Sequence, residues 1–505
     1  MATAFEVRAR GLHRGEPGEP CVMVIFGAAG DLARGDLVPS LYELHRKRLL
    51  PERFAAIGIS RSRWDSARFR DEMCAAVRES CGGTGGWDDF APRLGFVSGD
   101  ATAPEGYAAL ARAIEEARSE FDIPDNVFFH LAVPPTLFPA IVHGLAESGL
   151  SRPVTGWRRL VVEKPFGRDR DSARALDRQL LEVFGEDQIY RIDHFLGKET
   201  VQNMLVFRFA NPSFEPVWNR NYIDHVQITV AEDIGIGTRA NFYEQTGIVR
   251  DMVQNHLLHL LCLAAIEPPV RFDAESLRNE TAKVLEAIVP PPLDDGAVPV
   301  RGQYGEGVVD GQRVAGYREE DGVPRDSTTP TYAAMRLTID NWRWADVPFY
   351  LRTGKRMPRK LTEVAIQFKP TPHSMFHQHG RPRHRSVLVF QLQPDEGIVQ
   401  DVAAKQPGPD LEVEPVRMTF RYAEAFGVEE PPRAYAWLLL DVMQGDQTLF
   451  ARADWIDKAW RIIDPIVGQW ESSPPARFPN YAAGTAGPAK AIELLAREGR
   501  RWREL

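Results

Sequence analysis

The stretch "VMVIFGAAGDLARG", residues 22–35, runs five apolar residues into two glycines three apart, Gly27 and Gly30, and then turns polar. A continuous apolar run of this kind suits a strand buried on both faces. A glycine pair directly after it makes a tight turn that aims the next helix N-terminus at a ligand, the arrangement that receives a pyrophosphate in dinucleotide-binding folds. The spacing is GxxG and not GxGxxG, so the pattern alone fits a plain strand-to-helix turn equally well.

Outward from that stretch the same rhythm continues. "FAAIGIS" (54–60), "VFFHLAV" (127–133) and "RRLVVEK" (158–164) are further apolar runs, and segments 37–48, 65–80, 137–148 and 171–184 read as the helices between them. Strands alternating with helices predict a doubly wound, mostly parallel sheet. After residue 220 the period changes to two, in "HVQITVAE", "TYAAMRLTID", "TEVAIQFK", "SVLVFQLQ" and "PVRMTFRY". That alternation predicts a large antiparallel sheet with one covered face. Helices are expected at 244–265, 433–444 and 455–468, and Pro- and Gly-rich stretches at 288–325 and 371–385 read as long loops. The expected fold class is an α/β Rossmann-type domain over residues 20–193, followed by an α+β domain with a large antiparallel sheet over residues 194–505.

Bulk properties narrow the function. A chain of 505 residues is too long for one core, and 44% hydrophobic with 26% charged residues is ordinary globular composition. A net charge of −9 speaks against a general nucleic-acid binder, since that affinity rests on many Lys and Arg over an extended face. The four cysteines, Cys21, Cys74, Cys81 and Cys262, show no zinc or disulfide spacing, so no metal is expected. No stretch of 18 apolar residues predicts a membrane span, and the first 20 residues lack a signal-peptide h-region, so the expected location is cytoplasmic.

Several segments carry candidate chemistry. After the second strand, "ISRSR" offers Ser60, Arg61 and Arg63 where an arginine would pair with the 2′-phosphate of NADP, although a surface arginine before a helix is the plain alternative. Lys164 follows the "RRLVVE" strand and would emerge at the carboxyl edge of the sheet, where open α/β sheets bind ligands. Asp251 and His256 fall on one predicted helix, where a structural histidine is the common case. Lys355 and Lys360 lie beside a predicted strand, where an exposed basic hairpin is the plain alternative. "RIDHFLGKE" (191–199) gathers Asp193, His194 and Lys198 around Gly197, which alone fits a solvated loop.

In this order the segments resemble the glucose-6-phosphate dehydrogenase family, through "GAAGDLA", "AVPPTLF", "EKPFG", "RIDHFLGKE", "RDMVQNH", "VRGQYG", "VPFYLRTGK", "LQPDEG", "LLLDVMQGDQTLFARAD" and "AAGTAGP". The resemblance covers nearly the whole chain, and RIDHxLGKE is its most specific run. It implies that His256 is the base that takes the C1 hydroxyl proton of glucose 6-phosphate, and that Asp193 orients its imidazole. It implies that His194 and Lys198 hold the 6-phosphate with help from Lys360, and that Glu232, Asp251, Lys164 and Lys355 read the sugar hydroxyls. Cofactor binding falls to Gly27, Gly30, Asp31, Leu32, Arg61, Pro135 and Lys164, with NADP preferred and NAD as a second acceptor. The implied product is 6-phosphoglucono-δ-lactone, and the implied assembly is a homodimer through the large sheet, or a homotetramer. Two departures stand out. Phe195 occupies a place where many members have tyrosine, and Asp36 one where many have lysine, so weaker phosphosugar or cofactor binding is expected. Two other readings are a dehydrogenase of another sugar or sugar phosphate, and a catalytically silent, nucleotide-binding regulator.

Overall fold

The computed structural model describes residues 15–293, 298–373, 375–376, 385–427, 433–473, 475 and 477–505. The first 14 residues, 294–297 of the expected 288–325 loop, and 374 and 377–384 of the 371–385 loop lie outside the described residues. The chain forms two compact units. Unit 1 holds the residues up to Glu199 together with Pro269–Asn279 and Pro432–Asp457, and unit 2 holds Thr200–Pro268, Glu280–Pro431 and Lys458–Leu505.

The first strands of unit 1 are β1 (Cys21–Phe26), β2 (Phe54–Ser60), β3 (Leu94–Ser98), β4 (Val127–Leu131), β5 (Arg158–Val162) and β6 (Ile189–Ile192). They form one parallel sheet in the order β6-β5-β4-β1-β2-β3, and the short strand Phe450–Ala451 adds antiparallel to β6. Strand order reverses between β1 and β4, and the crevice outside the carboxyl ends of such a pair is where open α/β sheets take ligands. Every residue of β1 and β4 is buried, as their unbroken apolar runs require. β3, β6 and the helix Pro104–Glu120 were not foreseen, because "LGFVS" and "IYRI" are too short to show a period.

The sequence expectation divides the chain at residues 193 and 194, whereas "RIDHFLGKE" lies whole in unit 1 and two later segments return to that unit. Gly197 shows why. A Cβ there would meet the Ala434 carbonyl oxygen at 2.6 Å and the Leu438 side chain at 3.0 Å, so the turn is closed against the helix Ala434–Gln444.

Unit 2 is built on a nine-stranded sheet. Its order is Val413–Arg421, Gly397–Lys405, Val387–Gln393, Leu361–Phe368, β7 (Ile223–Ala231), Pro348–Gly354 and Tyr332–Ile339, the last of which pairs with Ile288–Val289 and Val300–Gly302. Pairing is antiparallel except for β7 with Pro348–Gly354, which run parallel. One covered face was expected, but β7 is almost wholly buried, including His225, Gln227 and Thr229. The tail covers the second face: Gln227 donates to the Arg501 carbonyl at 2.9 Å and accepts from the Arg503 N–H at 2.9 Å, and Arg503 pairs with Glu363 at 3.0 Å. Alternating polar residues are therefore hydrogen-bonded inside, not solvated. The 288–325 stretch also carries short strands at Val300–Gly302, Tyr304–Gly305, Gly307–Val309 and Gln312–Val314.

Candidate active site

In unit 1 the expected residues gather at the carboxyl edge of the parallel sheet. Gly27 follows β1 with φ of +84°, and a Cβ on it would meet the Ala132 carbonyl oxygen, just beyond β4, at 2.3 Å. Only glycine fits a left-handed turn at so close a backbone approach. Gly30 and Asp31 are exposed and Leu32 is half-buried at the start of the helical run that leads to Arg46. That run begins in π register over Ala33–Leu37 before becoming α-helix at Val38. Arg61 is exposed one residue past β2, and Pro135 opens the turn Pro135–Leu137 after β4. An approachable backbone at a helix N-terminus, with an exposed arginine at the end of the next strand, fits a dinucleotide with a 2′-phosphate.

Lys164 stands two residues beyond β5, half-buried at the expected edge. After β6, Asp193 is 1% exposed and its carboxylate accepts the Phe195 backbone N–H at 2.9 Å. The Leu196 N–H bonds the Asp193 carbonyl at 3.0 Å, and the Lys198 N–H bonds the Phe195 carbonyl at 3.2 Å, so "DHFLGK" is a wound turn and not an open loop. His194 and Lys198 are half-buried on it. The Lys198 ammonium lies 3.8 Å from the Phe195 ring centroid, and the His194 ring meets the same phenyl ring edge-on with centroids 5.1 Å apart. Phe195 therefore supports both side chains through its ring, the Lys198 ammonium as a cation and the His194 imidazole edge-on. Arg191, in the same motif, is structural: it is 2% exposed and paired with Asp177 and Glu186.

Asp36 sits in the π segment. Burial raises its carboxyl above the usual range, Arg433 opposes that rise, and Glu163 adds to it. The reversed charge thus has a cation beside it, and the Arg433 guanidinium also bonds the Gly35 carbonyl at 3.3 Å.

In unit 2 the parallel pair of strands within the nine-stranded sheet sets Glu232 and Lys355 side by side. Ala231 and Gly354 are register partners, and each strand's next residue carries the charge. Lys355 is not the exposed hairpin residue that its setting suggested. Its side chain is fully buried, its ammonium bonds Glu232 at 2.8 Å, and the Tyr243 ring centroid lies 5.3 Å away. The Tyr481 hydroxyl donates to the Lys355 carbonyl at 2.8 Å. Lys360 is exposed on the following turn.

The expected helix 244–265 is three segments. Gly247, with φ 60° and ψ 174°, breaks Ala240–Ile248, then Val249–Leu257 is a π-helix and Leu258–Ala265 an α-helix. In an α-helix five residues turn a side chain by about 140°. The i→i+5 register of a π-helix closes roughly one turn over the same span, which brings Asp251 and His256 to one side. Both are buried, Asp251 at 8% and His256 at 1%. Burial first, then the charges of Asp251 and Glu232, hold the Tyr243 hydroxyl well above its ordinary range, so Tyr243 shares their neighbourhood. No sequence pattern singled Tyr243 out. A cavity of about 1200 Å³ in unit 2 contains none of the expected substrate residues and is lined by residues that include Arg359, Arg385, Arg417, Arg500, Arg501 and Arg503.

Comparison with known proteins adds the decisive observation. Residues 24–203 match the family model of the glucose-6-phosphate dehydrogenase NAD binding domain, and residues 205–503 that of its C-terminal domain. The chain belongs to the glucose-6-phosphate dehydrogenase family. It is 46% identical over 487 residues to the glucose-6-phosphate 1-dehydrogenase of Aggregatibacter actinomycetemcomitans, covering 96% of this chain and 97% of that one. It is 40% identical to that of Bacillus subtilis, covering 95% and 98%. A solved structure described as glucose-6-phosphate dehydrogenase in complex with its substrate glucose-6-phosphate superposes with a TM-score of 0.88 at 34% identity, covering 97% of this chain and 99% of the other. The glucose-6-phosphate 1-dehydrogenase of Mycobacterium avium gives 0.80 at 36% identity, with the same coverage.

Proposed function

We propose that this chain oxidises the C1 hydroxyl of glucose 6-phosphate to 6-phosphoglucono-δ-lactone, with NADP as hydride acceptor. The observation that carries it is the end-to-end likeness to an enzyme solved with that substrate. Bound NADP supplies an electrophilic nicotinamide C4 for the hydride. His256 takes the C1 hydroxyl proton, since a neutral imidazole is a competent base near pH 7, and Asp193 keeps that ring in the useful tautomer and favours its protonated form. His194 and Lys198 hold the 6-phosphate through charge-assisted hydrogen bonds, with help from Lys360. Glu232, Asp251, Lys164 and Lys355 read the sugar hydroxyls. Gly27, Gly30, Asp31, Leu32 and Pro135 form the cofactor cradle, and Arg61 pairs with the 2′-phosphate.

The domain assignment proposed with this chemistry is a cofactor domain over 20–193 and a substrate and assembly domain over 194–505. We place the enzyme in the cytoplasm, a reading supported by four cysteines that are all free thiols. Among the described residues no helix is long and apolar enough to cross a membrane. Mixing purified protein with glucose 6-phosphate and NADP tests the activity through the absorbance of NADPH. Absorbance with another sugar phosphate alone would replace the substrate. None with any sugar would leave a nucleotide-binding regulator.

A further inference from the structure

Tyr435 comes from the helix Ala434–Gln444, far along the chain from "RIDHFLGKE", yet it lies in unit 1 beside that turn. Its ring is nearly parallel to the His194 imidazole, 8° apart in plane with centroids 6.5 Å apart, the geometry of an offset stack. Its hydroxyl lies 3.1 Å from Glu163 Oε2, and Glu163 Oε1 lies 3.0 Å from His130 Nε2. Glu163 is 8% exposed and His130 fully buried, so this is an interior polar chain with little room to reorient. It starts on β4, passes the residue before Lys164 and ends on the face of His194.

Resting on the reading of His194 as a phosphate ligand, we propose that Tyr435 is a positioning residue for glucose 6-phosphate, fixing the His194 ring through a stack that Glu163 and His130 anchor. Burial first, and then the Glu163 charge, hold the Tyr435 hydroxyl well above its ordinary range, so it stays a donor to Glu163 at working pH. With Phe195 meeting the same imidazole edge-on, His194 is bracketed by two aromatic rings. A phosphate ligand that is already oriented loses less side-chain freedom on binding.

The test is a cycle of variants read by steady-state kinetics. Tyr435→Leu is expected to raise KM for glucose 6-phosphate about tenfold in the otherwise intact enzyme, with kcat falling less than threefold, and to add less than twofold in a His194→Ala background. Tyr435→Phe keeps the ring and severs the anchor, so it gives a rise of about two- to fivefold and keeps the test alive if the leucine variant fails to fold. Equal rises in both backgrounds, or none in the intact enzyme, would overturn the proposal while leaving the phosphate reading in place. An unchanged KM in His194→Ala alone would remove the phosphate reading and this inference with it.

Discussion

Lys355 is fully buried, with its ammonium bonded to Glu232 and the Tyr243 ring beside it. A buried ion pair is costly unless its geometry is fixed, and such pairs are retained where charge has work to do. His256 is equally buried, and its replacement tests the chemistry most directly. His256→Asn is expected to lower kcat by about 10²- to 10⁴-fold with little change in substrate affinity, because the base acts in the transition state. Steady-state kinetics with calorimetric titration of glucose 6-phosphate would check both halves, and near-normal kcat would end the assignment. Lys198→Ala is expected to cost glucose 6-phosphate roughly 2–3 kcal/mol in kcat/KM and free glucose far less, since only the former carries the dianion. Equal losses on the two sugars would sink the phosphate role. "RIDHFLGKE" announced these residue types in the sequence, but not their support. That Phe195 holds the Lys198 ammonium under its ring depends on a turn whose hydrogen bonds run between residues two and three apart, which no periodicity reveals.

Elements were legible where their period was long and their surroundings uniform. β1, β4 and β5 are continuous apolar runs, while the strand Pro348–Gly354, buried at every residue, carries Arg352 and Thr353 into the interior against its composition. The π segments at Ala33–Leu37 and Val249–Leu257 were invisible for a different reason: their composition is that of any amphipathic helix, and the register is set by what they pack against. Gly247, with a backbone conformation that is essentially glycine's alone, was the one local sign of a break. Helix Arg170–Leu181 has a further tie in unit 1, where Arg170 and Arg174 both fork onto the Asp457 carboxylate, Arg170 at 2.9 and 2.8 Å. Hydrogen bonds from Arg170, opposed by burial and reinforced by Arg174, pull that carboxyl far below the usual range. A folded pKa below the unfolded value of about 3.9 contributes stability above that value, and the contribution fades as pH falls. Asp457→Asn is therefore expected to lower unfolding stability by about 1–2 kcal/mol between pH 7 and 5, with the gap narrowing below pH 4. Urea unfolding of both proteins across that range would show it, and a pH-independent gap would mean the loss is one of packing.

For the molecule as a whole, length and the change of hydrophobic period announced two domains but not a chain that leaves unit 1 and returns to it twice. The returning segment 432–457 supplies Tyr435, the wall against Gly197 and the strand beside β6, and nothing in "AYAWLLLDVMQ" says which sheet its helix will cover. Assembly is a question of the other sheet. Among the described residues Val413–Arg421 ends the nine-stranded sheet with its outer edge unpaired, and exposed edges of this kind are sites of association. Val416, Met418 and Phe420 share one face by the two-residue period, with Val416 45% and Met418 52% exposed. A groove of about 420 Å³ lies along that face, lined by Val206, Phe207, Phe214, Ile398, Met418 and Phe420. Apolar surface of this extent at a sheet edge is better covered by a second copy than left in water. On this basis the protein is expected to sediment at twice or four times the 56.8 kDa chain mass. Met418→Lys with Val416→Lys would place a cluster of like charges at a two-fold contact and reduce the assembly, to monomer from a dimer or to dimer from a tetramer. Sedimentation equilibrium on both proteins decides it: a wild-type monomer would end the dimer proposal, and a variant of unchanged mass would move the interface away from this strand.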